Sequence, residues 1–173
     1  AGVRLPRSPG VTHEPWTYLL PDEQRALLGC MTIPARDRLL IAFALGTGLR
    51  QGELWNLRCV DLRRDIQKIV IRYGSKGKAT KGGRVRRVPL FGIAADALEA
   101  WLPLLEQQPN PLGLVWPLPS GARRQKGKLP RHWRTHLRAA GIAAERRHDG
   151  RDVRWHDLRH TCASSLVAGW WGR

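Results

Sequence analysis

The chain has 173 residues, with 30 Lys and Arg against 14 Asp and Glu, for a formal net charge of +16. That length suits one domain able to bury a sizeable core. With 42% hydrophobic residues and eight Trp it is no disordered basic tail, and its charge calls for a polyanion, nucleic acid first. A ribosomal-type protein or a basic membrane-surface protein would share that charge. No stretch approaches the ~20 apolar residues needed to span a bilayer.

Cys30, Cys59 and Cys162 stand singly, and an odd count without a C-x-x-C spacing argues against a disulfide framework. Three reduced thiols in an intracellular, cytoplasmic protein is the reading. Residues 1–15, rich in Pro, Gly and Arg at the start, read as a linker ahead of a domain over 16–173.

Pro21, Asp22 and Glu23 open a helix expected to reach about Met31, with Pro in first position and acids in the first turn. A second helix, from about Ala35 to Leu45, is apolar nearly all round and should lie in the core. It is expected to stop at Gly46-Thr47-Gly48, where left-handed backbone is permitted. Leu49 to Leu54 reads as a short helix carrying Arg50 and Glu53. These two could form a surface pair, but an Arg just past a Gly turn at the lip of a buried helix is also placed to point into a cleft.

Lys68–Tyr73 and Arg84–Leu90 are expected strands joined by a basic turn region. From Arg72 to Arg87 there are seven Lys or Arg and no acid, including Lys76, Lys78, Lys81 and Arg84. Such a run fits phosphate contact as well as a solvated loop. It is not a P-loop, because Arg72 stands where the first Gly is needed and Ala79 follows Lys78. A helix from about Ile93 to Gln107 follows, apolar at helical spacing, then a Pro-rich loop with a short strand expected at Leu114–Trp116.

A further helix is expected from about Pro130 to Ala140. Trp133, Leu137 and Ala140 would face inward, with Arg131, Arg134 and Arg138 on the opposite side. That pattern fits a helix lying along DNA, and solvent exposure alone would produce it too. After a charged loop, the last helix opens at Trp155 and sets His156 and Arg159 three residues apart on one face. A guanidinium fork beside an imidazole suits an oxygen anion. His132 and His136, and His156 and His160, are each spaced i, i+4, but no H-E-x-x-H or Cys/His cluster completes a metal site.

Three stretches then fall into a known order. Gly48-Leu49-Arg50-Gln51-Gly52-Glu53-Leu54, the run from Thr80-Lys81 to Pro89-Leu90, and His156-Asp157-Leu158-Arg159-His160-Thr161 resemble the successive signature boxes of the tyrosine recombinases, or phage integrases. The resemblance implies an α+β, mainly helical catalytic domain with a small antiparallel sheet flanked by helices. It implies double-stranded DNA as partner, assembly as a tetramer on that DNA, no metal or other cofactor, and cleavage through a 3′-phosphotyrosyl intermediate. By the same resemblance Arg50 and Arg159 bind the phosphate, Lys81 protonates the leaving 5′ oxygen, and His156 assists proton transfer or positioning. Glu53 orients Arg50, and His160 buttresses the helix.

The departure from the family pattern is the nucleophile. The only tyrosines, Tyr18 and Tyr73, precede His156, and Trp170 follows Arg159 too closely for the family's third His/Trp position. The expectation is therefore a catalytic domain lacking its Tyr, inactive alone, with Trp170 and Trp171 exposed. A non-catalytic DNA-binding descendant of an integrase fits the missing Tyr equally well.

Overall fold

The computed structural model describes residues 17–74, 85–125, 132–142 and 153–169. Helix α1 spans Pro21–Gly29, with the Glu23 carboxylate accepting the Leu20 amide at 2.8 Å. It stops two residues short of Met31, because Cys30 turns extended and its carbonyl accepts the Ile33 amide. Helix α2, Ala35–Thr47, is the central element, with Leu40 to Leu45 all buried.

The two glycines ending α2 do different work. Gly46 remains helical, and a Cβ there would lie 2.8 Å from the Ala94 Cβ, so it permits a close helix crossing. Gly48, at φ 57° and ψ 25°, is the left-handed residue that ends α2, its N–H bonded to the Ala44 carbonyl at 3.0 Å. A Cβ on Gly48 would stand 3.1 Å from the Cys162 Sγ. Gly48→Ala should therefore cost about 1–2 kcal/mol through the left-handed backbone alone. Denaturant unfolding would measure it, and an unchanged midpoint would contradict this account of the turn.

Helix α3 is Gln51–Asn56, two residues later than expected, since Glu53 accepts the Arg50 amide and so makes Arg50 the cap. A three-stranded antiparallel sheet follows in the order β1 (Leu62–Arg63), β2 (Lys68–Ile71), β3 (Arg86–Pro89). The two-residue β1 was not anticipated. β2 ends at Ile71 instead of Tyr73, because Arg72 leaves the ladder to bond Asp61 at 2.8 Å and Tyr73 lies against Arg58. In β2–β3 the register pairs Ile71 with Arg86 and Ile69 with Val88. The strand expected at Leu114–Trp116 is reduced to one bridge, Arg58 with Leu114.

Helix α4, Gly92–Glu106, packs along α2 and buries Ala94, Ala97, Leu98, Trp101 and Leu105. Helix α5, Trp133–Ala139, turns Trp133, His136 and Leu137 inward and leaves Arg134 and Arg138 exposed. Helix α6, Asp157–Val167, also packs on α2. The α+β class read from the sequence is the class observed, mainly helical around one small sheet.

Two aromatic groups fill the core. Trp101 stacks on Trp116 at 4.9 Å, with Phe43 tilted against Trp116. Trp55, Trp155 and Trp133 form the second, with Trp133 meeting Trp155 edge-on at 5.3 Å and donating its indole N–H to the Val153 carbonyl. This second group fixes the residue immediately before His156, at the mouth of α6.

Candidate active site

The site is built where the end of α2 meets the first turn of α6. Gly48 turns the chain sharply, so that its carbonyl faces α6 rather than continuing a helix. The Arg159 guanidinium reaches it across 111 residues of sequence, Nη1 donating to Gly48 O at 2.5 Å. Burial lowers the Arg159 pKa first, and the positive charges of Arg50 and then Arg86 lower it further, opposed by Glu53. The two arginines singled out in the sequence thus lie within electrostatic reach of one another, and the Glu53 carboxylate acts on both.

That carboxylate is not the exposed i, i+3 partner that the spacing also allowed. Glu53 is only 4% exposed, and its Oε2 accepts both the Arg50 amide at 2.8 Å and Arg86 Nη2 at 2.6 Å. Its Oε1 receives Arg50 Nη1 at a longer 3.4 Å. In the sequence Arg86 is one charge of a basic run. A signal was available: alternation along β3 puts Arg86 on the face of buried Val88, and an inward-facing Arg needs a carboxylate.

α6 carries the rest. Asp157 is fully buried; its carboxylate accepts the Arg154 backbone amide at 2.8 Å and the Arg154 guanidinium through both oxygens. This clasp closes the turn on which His156 sits. The His160 ring meets the His156 ring edge-on at 5.3 Å. On the far side of α6, Thr161 Oγ1 accepts the Leu19 amide at 3.0 Å and donates to the Asp157 carbonyl. The helix is thereby pinned from behind.

Burial holds the His156 imidazole below its ordinary pKa of 6.5; His160 adds to the depression, and Asp157 opposes it. The ring is therefore neutral at neutral pH and can either accept or share a proton. The sign of the stability effect follows. Between the depressed folded value and 6.5 the unfolded chain binds more protons at this ring than the folded chain, so stability falls as pH drops through that window. Unfolding midpoints compared at pH 7 and pH 5.5 should show a larger loss for the wild type than for His156→Gln. Parallel losses would contradict the depressed value.

Lys81, with Lys76, Lys78, Arg84 and Arg131, lies outside the described residues, as do Trp170 and Trp171. Among the described residues no group of three or more His, Cys, Asp or Glu is placed to hold a metal ion, and no helix is long and apolar enough to cross a membrane.

Two arginines and a histidine of lowered pKa near a buried glutamate, in a mainly helical domain, offer donors of the kind that suit an oxyanion and an imidazole of the kind that can transfer a proton. The family model described as the phage integrase family matches residues 17–171, and the chain belongs to that family, carrying a tyrosine-recombinase catalytic domain. Tyrosine recombinase XerC of Pseudomonas aeruginosa is 34% identical over 135 residues, covering 78% of this chain and 40% of the relative. The chain thus spans about two-fifths of that relative's length. Among solved structures, the crystal structure of XerA recombinase superposes with a TM-score of 0.73 at 26% identity, over 95% of this chain and 53% of that one. XerH site-specific recombinase bound to difH substrate, a pre-cleavage complex, shares the fold with a TM-score of 0.67 at 24% identity, over 92% of this chain and 45% of that one.

Proposed function

We propose that this chain is the phosphate-activating core of a site-specific DNA recombinase acting on double-stranded DNA. The observation that carries the reading is the bond from Arg159 to the Gly48 carbonyl, two residues before Arg50, in a chain of the phage integrase family. Attack on a phosphodiester places negative charge on its non-bridging oxygens, and donors fixed beforehand at that spot stabilise it. Arg50 and Arg159 supply those donors. His156, neutral and beside Arg159, positions the phosphate or relays a proton. Lys81 gives its proton to the 5′ oxygen as the P–O5′ bond breaks and a tyrosine O–P bond forms, the phenol proton passing to His156. Glu53 orients Arg50, and His160 supports the His156 ring.

The exposed Arg134 and Arg138 of α5, with Arg131, and Lys76, Lys78 and Arg84 in the chain between β2 and β3, make the wider phosphate contacts. XerH recombinase has been solved bound to its difH substrate, and a tetramer on DNA is the assembly proposed for the working protein.

The nucleophile is not provided by these 173 residues. Tyr73 lies two residues past the end of β2, under the Arg58 guanidinium, 5.6 Å away. Tyr18 adjoins Leu19, which bonds Thr161, and Thr161 lies two residues, about 200°, around α6 from Arg159. The test uses nicked duplexes run on a denaturing gel. The 173-residue chain should give no stable adduct, and an adduct abolished by Tyr18→Phe or Tyr73→Phe would overturn that assignment. Expressed from its complete open reading frame, the protein should form the adduct and lose about 10²–10³-fold of its rate on Arg159→Ala. Unchanged cleavage in that variant would sink the proposed role of the pocket. Binding with no cleavage by the complete frame would favour a non-catalytic descendant.

A further inference from the structure

We propose that Arg86 is a positioning residue, which takes up the charge of Glu53 so that the Arg50 guanidinium stays available to an oxyanion. The inference rests on the phosphate seat proposed above and adds a residue whose role lies behind it.

A carboxylate buried as deeply as Glu53 must find a cation. Sequence spacing nominates Arg50, three residues before it on the same short helix. The distances assign the load differently. Arg86 Nη2 approaches Glu53 Oε2 at 2.6 Å, within the range of a strong charge-assisted bond, whereas Arg50 Nη1 stands at 3.4 Å from Oε1, near the limit of a hydrogen bond. What Arg50 gives Glu53 at short range is its backbone amide, at 2.8 Å. Exposure follows the same division: the Arg50 side chain is 60% exposed and that of Arg86 37%. The residue meant for a ligand is open, and the residue that neutralises the carboxylate is tucked behind it.

The chemistry of removal follows. Without Arg86, the guanidinium left bonded to the Glu53 carboxylate would be that of Arg50, drawn in at the cost of its fork toward a ligand. Any phosphate would then have to compete with an internal carboxylate for the same N–H groups. Arg86 also belongs to β3, paired with Ile71 of β2, so its bond ties the sheet to α3. A purely structural tie would be lost in any variant lacking Arg86. The charge role has a different signature: it disappears when Glu53 is itself made neutral.

The experiment uses the 173-residue chain, titrated with inorganic phosphate at constant ionic strength, and reads the side-chain N–H signals of Arg50 and Arg159 by NMR. Arg86→Ala should weaken phosphate at those two signals at least threefold. Arg86→Lys should stay within twofold of wild type, and the double variant Arg86→Ala with Glu53→Gln should recover to within twofold. An unchanged affinity in Arg86→Ala, or a double variant as weak as the single, would overturn the proposal. If Arg86→Ala does not fold, the double variant and Arg86→Lys decide, and threefold weakening in both would overturn it. A wild-type chain whose Arg50 and Arg159 signals ignore phosphate would instead refute the phosphate seat itself.

Discussion

Raising the salt from about 50 to about 200 mM should weaken the binding of duplex DNA by this chain by about 10³-fold or more. The reason is the source of the affinity. Each phosphate neutralised by a Lys or Arg releases condensed counterions, and the logarithm of the affinity falls with that of salt with a slope near −0.9 per contact. Six contacts suffice for the stated drop, and a chain of net charge +16 with exposed arginines on α5 has them to give. Replacing Arg131, Arg134 and Arg138 together by Ala should flatten the slope by about 2 to 3 and weaken all sequences alike. A loss confined to one sequence would mean that α5 reads bases rather than phosphates. Affinity insensitive to salt would remove the electrostatic account altogether.

Trp101→Ala should cost about 3–5 kcal/mol, the range for an aromatic deleted from a packed core. Its side chain is 2% exposed, stacked on Trp116, covered on one face by the Arg36 guanidinium at 5.1 Å, and bonded through its indole N–H to the Val115 carbonyl at 2.6 Å. Truncation removes all three contacts and leaves a buried carbonyl without its donor. Trp101→Phe keeps the ring but not the N–H, and should cost less than half as much. Equilibrium unfolding in denaturant decides, and a cost under 1 kcal/mol for the alanine variant would show that the core closes over the gap. The consequence reaches function, because α4 backs α2 and the end of α2 presents the carbonyl that holds Arg159.

Much of this molecule is written in local pattern. α2 and α4 follow from apolar periodicity, α1 from its Pro and acids, and the paired spacing of His156 and Arg159 from one helical turn. Local pattern misses helix ends where a side chain or a crossing decides them: Gly46 looks like a terminator but is a contact, and α3 starts late because the Glu53 carboxylate accepts the Arg50 amide. The short β1 has only two residues to announce it. Arg86 is hard to single out because a basic run hides which of its members points inward. The clasp of Asp157 on Arg154 is local, three residues apart, whereas the bond from Leu19 to Thr161 depends on tertiary placement. The second of these joins residues far apart in sequence, where no periodicity speaks.

A crystal structure of the chain with a DNA duplex tests the central claim most directly. One backbone phosphate should lie within hydrogen-bond distance of the guanidinium groups of both Arg50 and Arg159, with the His156 ring beside it and Arg86 still on Glu53. A complex in which the duplex lies across another face, with Arg50 and Arg159 turned to solvent, would contradict the account.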